Sequence, residues 1–127
     1  EKMNEFNIAN AASMAQHAGI VALREGEDFV HETVKRYGYA RDLVFQRLAG
    51  MPRVRLAKPE AAFYAFFAVD GMDDSLAFAK RLLAETKVGL APGAAFGPSG
   101  EGHLRLCYAA TLETLSEAMD RLAPALS

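Results

Sequence analysis

The sequence has 127 residues, 51% of them hydrophobic and 24% charged, which suits one domain with one sizeable core and the composition of an ordinary soluble chain. A net charge of -2 offers no basic surplus for a nucleic-acid backbone or an anionic membrane surface. The single cysteine, Cys107, can form no internal disulfide and has no companions at metal-finger spacing, no apolar run approaches the roughly 20 residues of a membrane span, and no signal peptide is visible; together these point to the cytoplasm.

Along the chain, Phe6 to Leu23 is alanine-rich, with Ile8, Ala12, Ala15, Ala18 and Ala22 at helical spacing. Gly26 interrupts it, and Glu25, Glu27 and Asp28 suit a new helix N-terminus. A long second helix follows. It carries Phe29, Val30, Val34, Tyr37, Val44, Phe45 and Leu48 on one stripe, is weakened at Gly38, and is stopped by Gly50 and Pro52. Val54 and Leu56 alternate with arginines as a short strand, and Ala62 to Val69 reads as a buried strand ended by Asp70-Gly71. Asp73 or Asp74 can cap a third helix bearing Leu76, Ala79, Leu82 and Leu83. Val88 to Ala91 reads as a strand closed by Pro92-Gly93, and a glycine-rich loop then runs to Gly102. His103 to Ala109 alternates, with Leu104 and Leu106 opposite Arg105 and Cys107. Thr111 can cap a last helix with Leu112, Leu115, Met119 and Leu122 on one stripe before Pro124. The expected fold class is α+β: a small, mainly antiparallel sheet with helices on one face, preceded by a long helix.

No catalytic constellation is complete. His17, His31 and His103 lack metal-ligand spacing, so no metal site is expected. Ser99 does not sit in a nucleophile elbow, and Cys107 in its strand reads as a small buried hydrophobe. Gly97, Gly100 and Gly102 echo a phosphate loop, but no Gly-Lys-Ser/Thr follows and the loop leads into a strand. By spacing alone Arg105 is an arginine on the exposed face of a strand.

One stretch is more specific. Val88-Gly89-Leu90-Ala91-Pro92-Gly93-Ala94-Ala95-Phe96-Gly97-Pro98-Ser99-Gly100-Glu101-Gly102-His103-Leu104-Arg105-Leu106 resembles the C-terminal signature of class I aminotransferases of the aspartate aminotransferase fold type, which depend on pyridoxal phosphate. Lys58-Pro59-Glu60-Ala61-Ala62-Phe63-Tyr64 resembles the strand before the family's small-domain helix, and Thr111 through Leu122 its final helix. Gln16-His17-Ala18 with Ala22-Leu23 resembles the helix that follows the cofactor-lysine region. The resemblance spans almost the whole chain, with its motifs in the family's order.

The resemblance implies the C-terminal small domain of an aminotransferase over residues 26–127, and the end of an absent large domain, or an interface segment, over residues 1–25. Together with a first residue, Glu1, that is not methionine, it gives the expectation of a piece of a larger protein. It implies that Arg105 clamps the substrate's α-carboxylate, since a planar guanidinium gives two parallel charge-assisted hydrogen bonds. It further implies that Pro92, Gly93 and Phe96 shape a substrate-side loop; their plainer reading is a turn and an aromatic core anchor. Many relatives carry glycine where this chain has Ala61. None of Lys2, Lys35, Lys58, Lys80 and Lys87 has the family's cofactor-lysine context, so no catalytic or cofactor-binding residue is assigned and the chain alone is expected to be inactive. The implied partners are an amino acid, a 2-oxo acid, the protein's own large domain and a second subunit of a homodimer, with Asn7 to Ala12 near the neighbouring active site. Two alternatives stay open: a free-standing carboxylate- or protein-binding module, and part of a related lyase of the same fold type.

Overall fold

The computed structural model describes residues 10–127. Lys2, Phe6, Asn7 and Ile8, which entered the expectations above, lie outside the described residues. The chain divides into two compact units, the first ending at Lys35 and the second running Arg36–Ser127.

The described part of the first unit is helical. Helix α1, Ser13–Glu25, has no buried residue, and Met14 and Leu23 are exposed. Gly26 separates it from helix α2, Glu27–Ala49, whose residues from Arg36 fall in the second unit. A side chain at Gly26 would meet the Ala22 carbonyl oxygen, its Cβ 2.3 Å away, so only glycine fits this junction. Helix α2 runs unbroken through Gly38.

The expected stripe on α2 holds only in part. Val44 and Leu48 are buried and are joined by Ala40, whereas Phe29, Val30 and Val34 are exposed. Periodicity marks which residues share a helix face, but not how much of that face is covered.

In the second unit the strands β1 (Val54–Arg55), β2 (Tyr64–Val69), β3 (Ala91–Pro92) and β4 (His103–Cys107) form one antiparallel sheet in the order β1-β2-β4-β3. The expected antiparallel sheet is therefore present, but its edges are short. Leu56 lies outside β1. The strand expected at Val88 to Ala91 is shifted to Ala91–Pro92, where proline is tolerated because β3 is an edge strand and a missing N–H there breaks no interior ladder. In β2 and β4 successive side chains alternate between faces: Ala65, Phe67, Val69, Leu104 and Leu106 point inward and are buried. Against them pack α2, helix α3 (Ser75–Thr86) through Phe78, Ala79 and Leu82, and helix α4 (Leu112–Leu126) through Leu115, Met119, Leu122 and Leu126.

Asp74 caps α3 by accepting from Ala77 N–H at 2.9 Å, and Thr111 caps α4 by accepting from Thr114 N–H at 3.2 Å. Leu76, Leu83 and Leu112, expected on core stripes, are half or more exposed or close to it, and Phe78 takes the core position on α3 instead. Pro124 lies inside the last turn of α4 and does not end it.

Ala62 adopts a left-handed φ of 61°, a conformation that disfavours a side chain. The Ala62 carbonyl accepts a hydrogen bond from the hydroxyl of the buried Tyr108 at 3.3 Å, which holds the start of β2 against the core. Burial pushes the Tyr108 phenol up from its ordinary value, with the Arg41 charge acting in the opposite direction.

Phe66 and Phe67 are neighbours on β2 with opposite fates, one 41% exposed and the other fully buried. Phe67→Ala is expected to cost about 3–5 kcal/mol of unfolding free energy by the cavity it leaves, and Phe66→Ala well under half of that. Urea unfolding of the two variants checks this, and equal losses would contradict the assigned faces.

Candidate functional site

The outer face of the sheet is built from the alternate residues of the same two strands. Register pairs Tyr64 with Cys107, Phe66 with Arg105 and Ala68 with His103. All six are on the side of the sheet away from the core. Cys107, expected to be buried, is exposed there, because its place in the alternation is that of Arg105 and not of Leu106.

Arg105 is half-buried at the centre of this face. Its guanidinium carbon lies 4.3 Å from the centroid of the Tyr64 ring and 4.0 Å from that of Phe96. Phe66 meets Phe96 edge to face at 6.1 Å, and the His103 imidazole stacks flat on Phe66 at 4.9 Å. No carboxylate among the described residues pairs with Arg105. A cation held against ring faces, with its N–H groups free of acid partners, is equipped to take a carboxylate from outside.

Pro92, Gly93 and Phe96 are brought to Arg105 by backbone pairing. Ala91 pairs with Arg105 and Pro92 with Leu104. From there the chain turns into a 3-10 turn, Gly93–Phe96, and a second one, Pro98–Gly100, so the glycine-rich loop contains two tight turns. Their packing requires glycine at two points. A Cβ on Gly93 would sit 1.9 Å from the Gly100 carbonyl oxygen, and a Cβ on Gly100 would sit 2.1 Å from that of Gly93. Gly93 therefore serves close backbone approach. Phe96 is 45% exposed and is no core anchor.

Two residues that sequence reasoning missed fasten these turns. The Glu101 carboxylate accepts from Ser75 N–H at 2.7 Å and Gly102 N–H at 3.1 Å, and the fully buried Ser75 hydroxyl accepts from Ala94 N–H at 3.1 Å. The Gly102 amide first, then the Ser75 amide and hydroxyl, hold the Glu101 carboxyl below the usual carboxylate range. Ser75 gave no sequence signal beyond its place after a capping aspartate. Tyr64 and Phe66 did give one, since period-two counting along β2 puts both on the face of Arg105.

Elsewhere, a concavity of about 330 Å³ is lined by residues including Arg53, Asp73, Asp74, Phe78 and Arg81. Arg53 there donates to the Asp70 carbonyl, and both arginines lie over the Phe78 ring. Among the described residues no three of His, Cys, Asp and Glu are grouped to hold a metal ion, and no helix is long and apolar enough to cross a membrane.

This α+β frame is similar to that of a class of known proteins, the aminotransferases of fold type I. No family model matches the chain. Among curated proteins it is similar to an aspartate aminotransferase of Pyrococcus horikoshii, 41% identical over 128 residues that cover 98% of this chain and 33% of the relative. It is also similar to an aromatic-amino-acid aminotransferase of Thermococcus litoralis, 40% identical over 96% of this chain and 33% of that protein. Among solved structures, an aromatic aminotransferase from Pyrococcus horikoshii superposes with a TM-score of 0.89 at 35% identity, over 98% of this chain and 34% of that one. The homologues and structural neighbours are thus aspartate and aromatic aminotransferases, and the chain matches their C-terminal part. It spans about a third of the length of the curated relatives it matches.

Since Glu101 is depressed by bonds made in the fold, its contribution to stability is fully present above the ordinary glutamate value of 4.5 and is lost as pH falls through its lower folded value. The stability difference between wild type and Glu101→Gln should therefore be constant at neutral pH and shrink on acidification. Denaturant unfolding of both proteins between about pH 3 and 7 checks this, and a difference independent of pH would remove Glu101 from the fastening role.

Proposed function

We propose that this chain is the C-terminal small domain of a pyridoxal-phosphate-dependent aminotransferase, and that Arg105 binds the α-carboxylate of the substrate. One observation carries the assignment of Arg105. It is a half-buried arginine braced by rings, with no acid partner among the described residues, in a chain whose relatives bear aminotransferase names. The complete protein then moves an amino group between an amino acid and a 2-oxo acid. Residues 26–127 form the small domain on this reading, and residues 1–25 belong with the large domain or a subunit interface of a homodimer in the cytoplasm. The apolar side chains that α1 leaves exposed, Met14, Val21 and Leu23 among them, support that role for the first segment.

The described residues do not fit the cofactor. Lys58 is paired with Asp42 at 3.0 Å, and Lys87 donates to the Ala84 carbonyl at 2.8 Å in the helix-terminal turn of α3. Lys35 and Lys80 are exposed helix residues, and none of the four belongs to the face of Arg105. When bound to the complete protein, the cofactor supplies an electron sink for the amino-group chemistry. What this chain supplies is recognition: Arg105 fixes one end of the substrate and so orients its α-amino group.

In the complete protein, Arg105→Ala is expected to lower kcat/KM for amino-acid substrates by an amount equivalent to about 2–5 kcal/mol, the usual cost of truncating one partner of a desolvated charge pair. Steady-state kinetics measures it, and a value within about twofold of wild type would take Arg105 out of the site. The chain by itself is expected to form no specific Schiff base. Borohydride reduction with pyridoxal phosphate, followed by peptide mapping, should find scattered substoichiometric labels; one stoichiometric lysine would overturn the assignment of the cofactor site to other residues.

A further inference from the structure

We propose that Tyr64 and Phe96 are positioning residues that set the plane of the Arg105 guanidinium, so that it meets a carboxylate in the two-bond geometry. This rests on the reading of Arg105 as the carboxylate ligand. A two-bond pair needs the guanidinium and carboxylate planes aligned, while an arginine side chain left to itself samples many rotamers. Proteins commonly fix such an arginine with an acidic neighbour, and none among the described residues does so here. The groups that brace it are two ring faces, at 4.3 and 4.0 Å.

The difference has a chemical consequence. An aspartate or glutamate partner would occupy the N–H edge and repel an arriving carboxylate. A ring face attracts the cation through its quadrupole and leaves the N–H groups open. Phe96 is nearly half exposed, so core packing does not account for its position. The ring is nonetheless held in place. Phe66 abuts it edge to face, the Gly93 and Gly100 backbones interlock beneath its turn, and Ser75 accepts from the Ala94 amide two residues before it. Tyr64 is held in turn by the Phe63 ring at 4.5 Å.

The test uses the complete, cofactor-loaded protein, with KM for its amino-acid substrate and the inhibition constant of acetate as readouts. Phe96→Leu keeps an apolar side chain but removes the ring, and should raise both constants about three- to tenfold. Phe96→Tyr restores the ring and should return both to wild-type values. In an Arg105→Ala background the Phe96→Leu change should add nothing, because there is no cation left to brace. Tyr64→Leu and Tyr64→Phe provide the same comparison from the other ring, should the first pair fold poorly. If Arg105→Ala raises both constants while neither ring-removing change does, or if the ring-keeping variants fail to restore them, the positioning role is overturned and Arg105 remains the ligand. If Arg105→Ala itself leaves both constants unchanged, the functional reading falls, and the positioning role with it.

Discussion

The pairing of β2 with β4 is the constraint on which the rest of this domain depends. Five successive residue pairs, from Tyr64 with Cys107 to Ala68 with His103, lock the two central strands in one register. The pleat then divides their side chains between two faces with a period of two. One face receives Ala65, Phe67, Leu104 and Leu106 and becomes the core under three helices; the other receives Tyr64, Phe66, His103 and Arg105. Slipping one strand by a single residue would exchange the sets, placing an arginine in the core and leucines outside. Burying that unpaired charge would cost far more than any gain in outer-face packing, so core formation and the placement of Arg105 select the same register.

The second constraint is the close backbone approach at Gly93 and Gly100. Neither residue needs a left-handed conformation; each is glycine because the other's carbonyl oxygen occupies the space of its side chain. The approach compresses the segment after β3 into two 3-10 turns and returns the chain to β4, which leaves Phe96 beside the strand that carries Arg105. Ser75 and Glu101 tie these turns to the start of α3. A carboxylate from the loop and Asp74 from the preceding residue satisfy separate N–H groups of the helix's first turn. The helix that covers the core and the loop that shapes the outer face thus share one set of hydrogen bonds.

These constraints also account for what could be read in the sequence. The fold class followed from alternation and helical stripes, because a sheet with one covered face forces a period of two on its strands, and β2 and β4 obey it. Asp74 and Thr111 were legible as caps for a similarly local reason: each bonds an amide three residues on. The edge strands were not. Val88 to Ala91 has strand composition, but pairing begins only at Ala91, where the register with Arg105 starts, and composition carries no register. Cys107 was misplaced by its residue type although its position in the alternation was already known. Of the residues proposed for the site, Arg105, Pro92, Gly93 and Phe96 were reached through the ordered motifs of the resemblance. Tyr64 was in view as part of a motif but not as a neighbour of Arg105, since a diagonal cross-strand contact needs the register. Ser75 and Glu101 are 26 residues apart, and no local pattern links a serine in one helix to a glutamate in a later loop.

The division of the sheet into two faces has a further consequence for how such a domain tolerates change. Residues of the inner face are held by packing, where the loss of a few methylenes is felt in the stability of the whole unit. The outer face contributes little buried area. Phe66 and Phe96 remain substantially exposed, and Arg105 has a place among them without an ion pair among the described residues. Side chains there can change size and polarity without emptying the core, provided that the register and the glycine pair are kept. A frame of this kind can present one fixed cation to differing neighbours. Its curated relatives bear names for aspartate and for aromatic amino acids at about 40% identity to this chain, so proteins of similar sequence carry names for different amino acids.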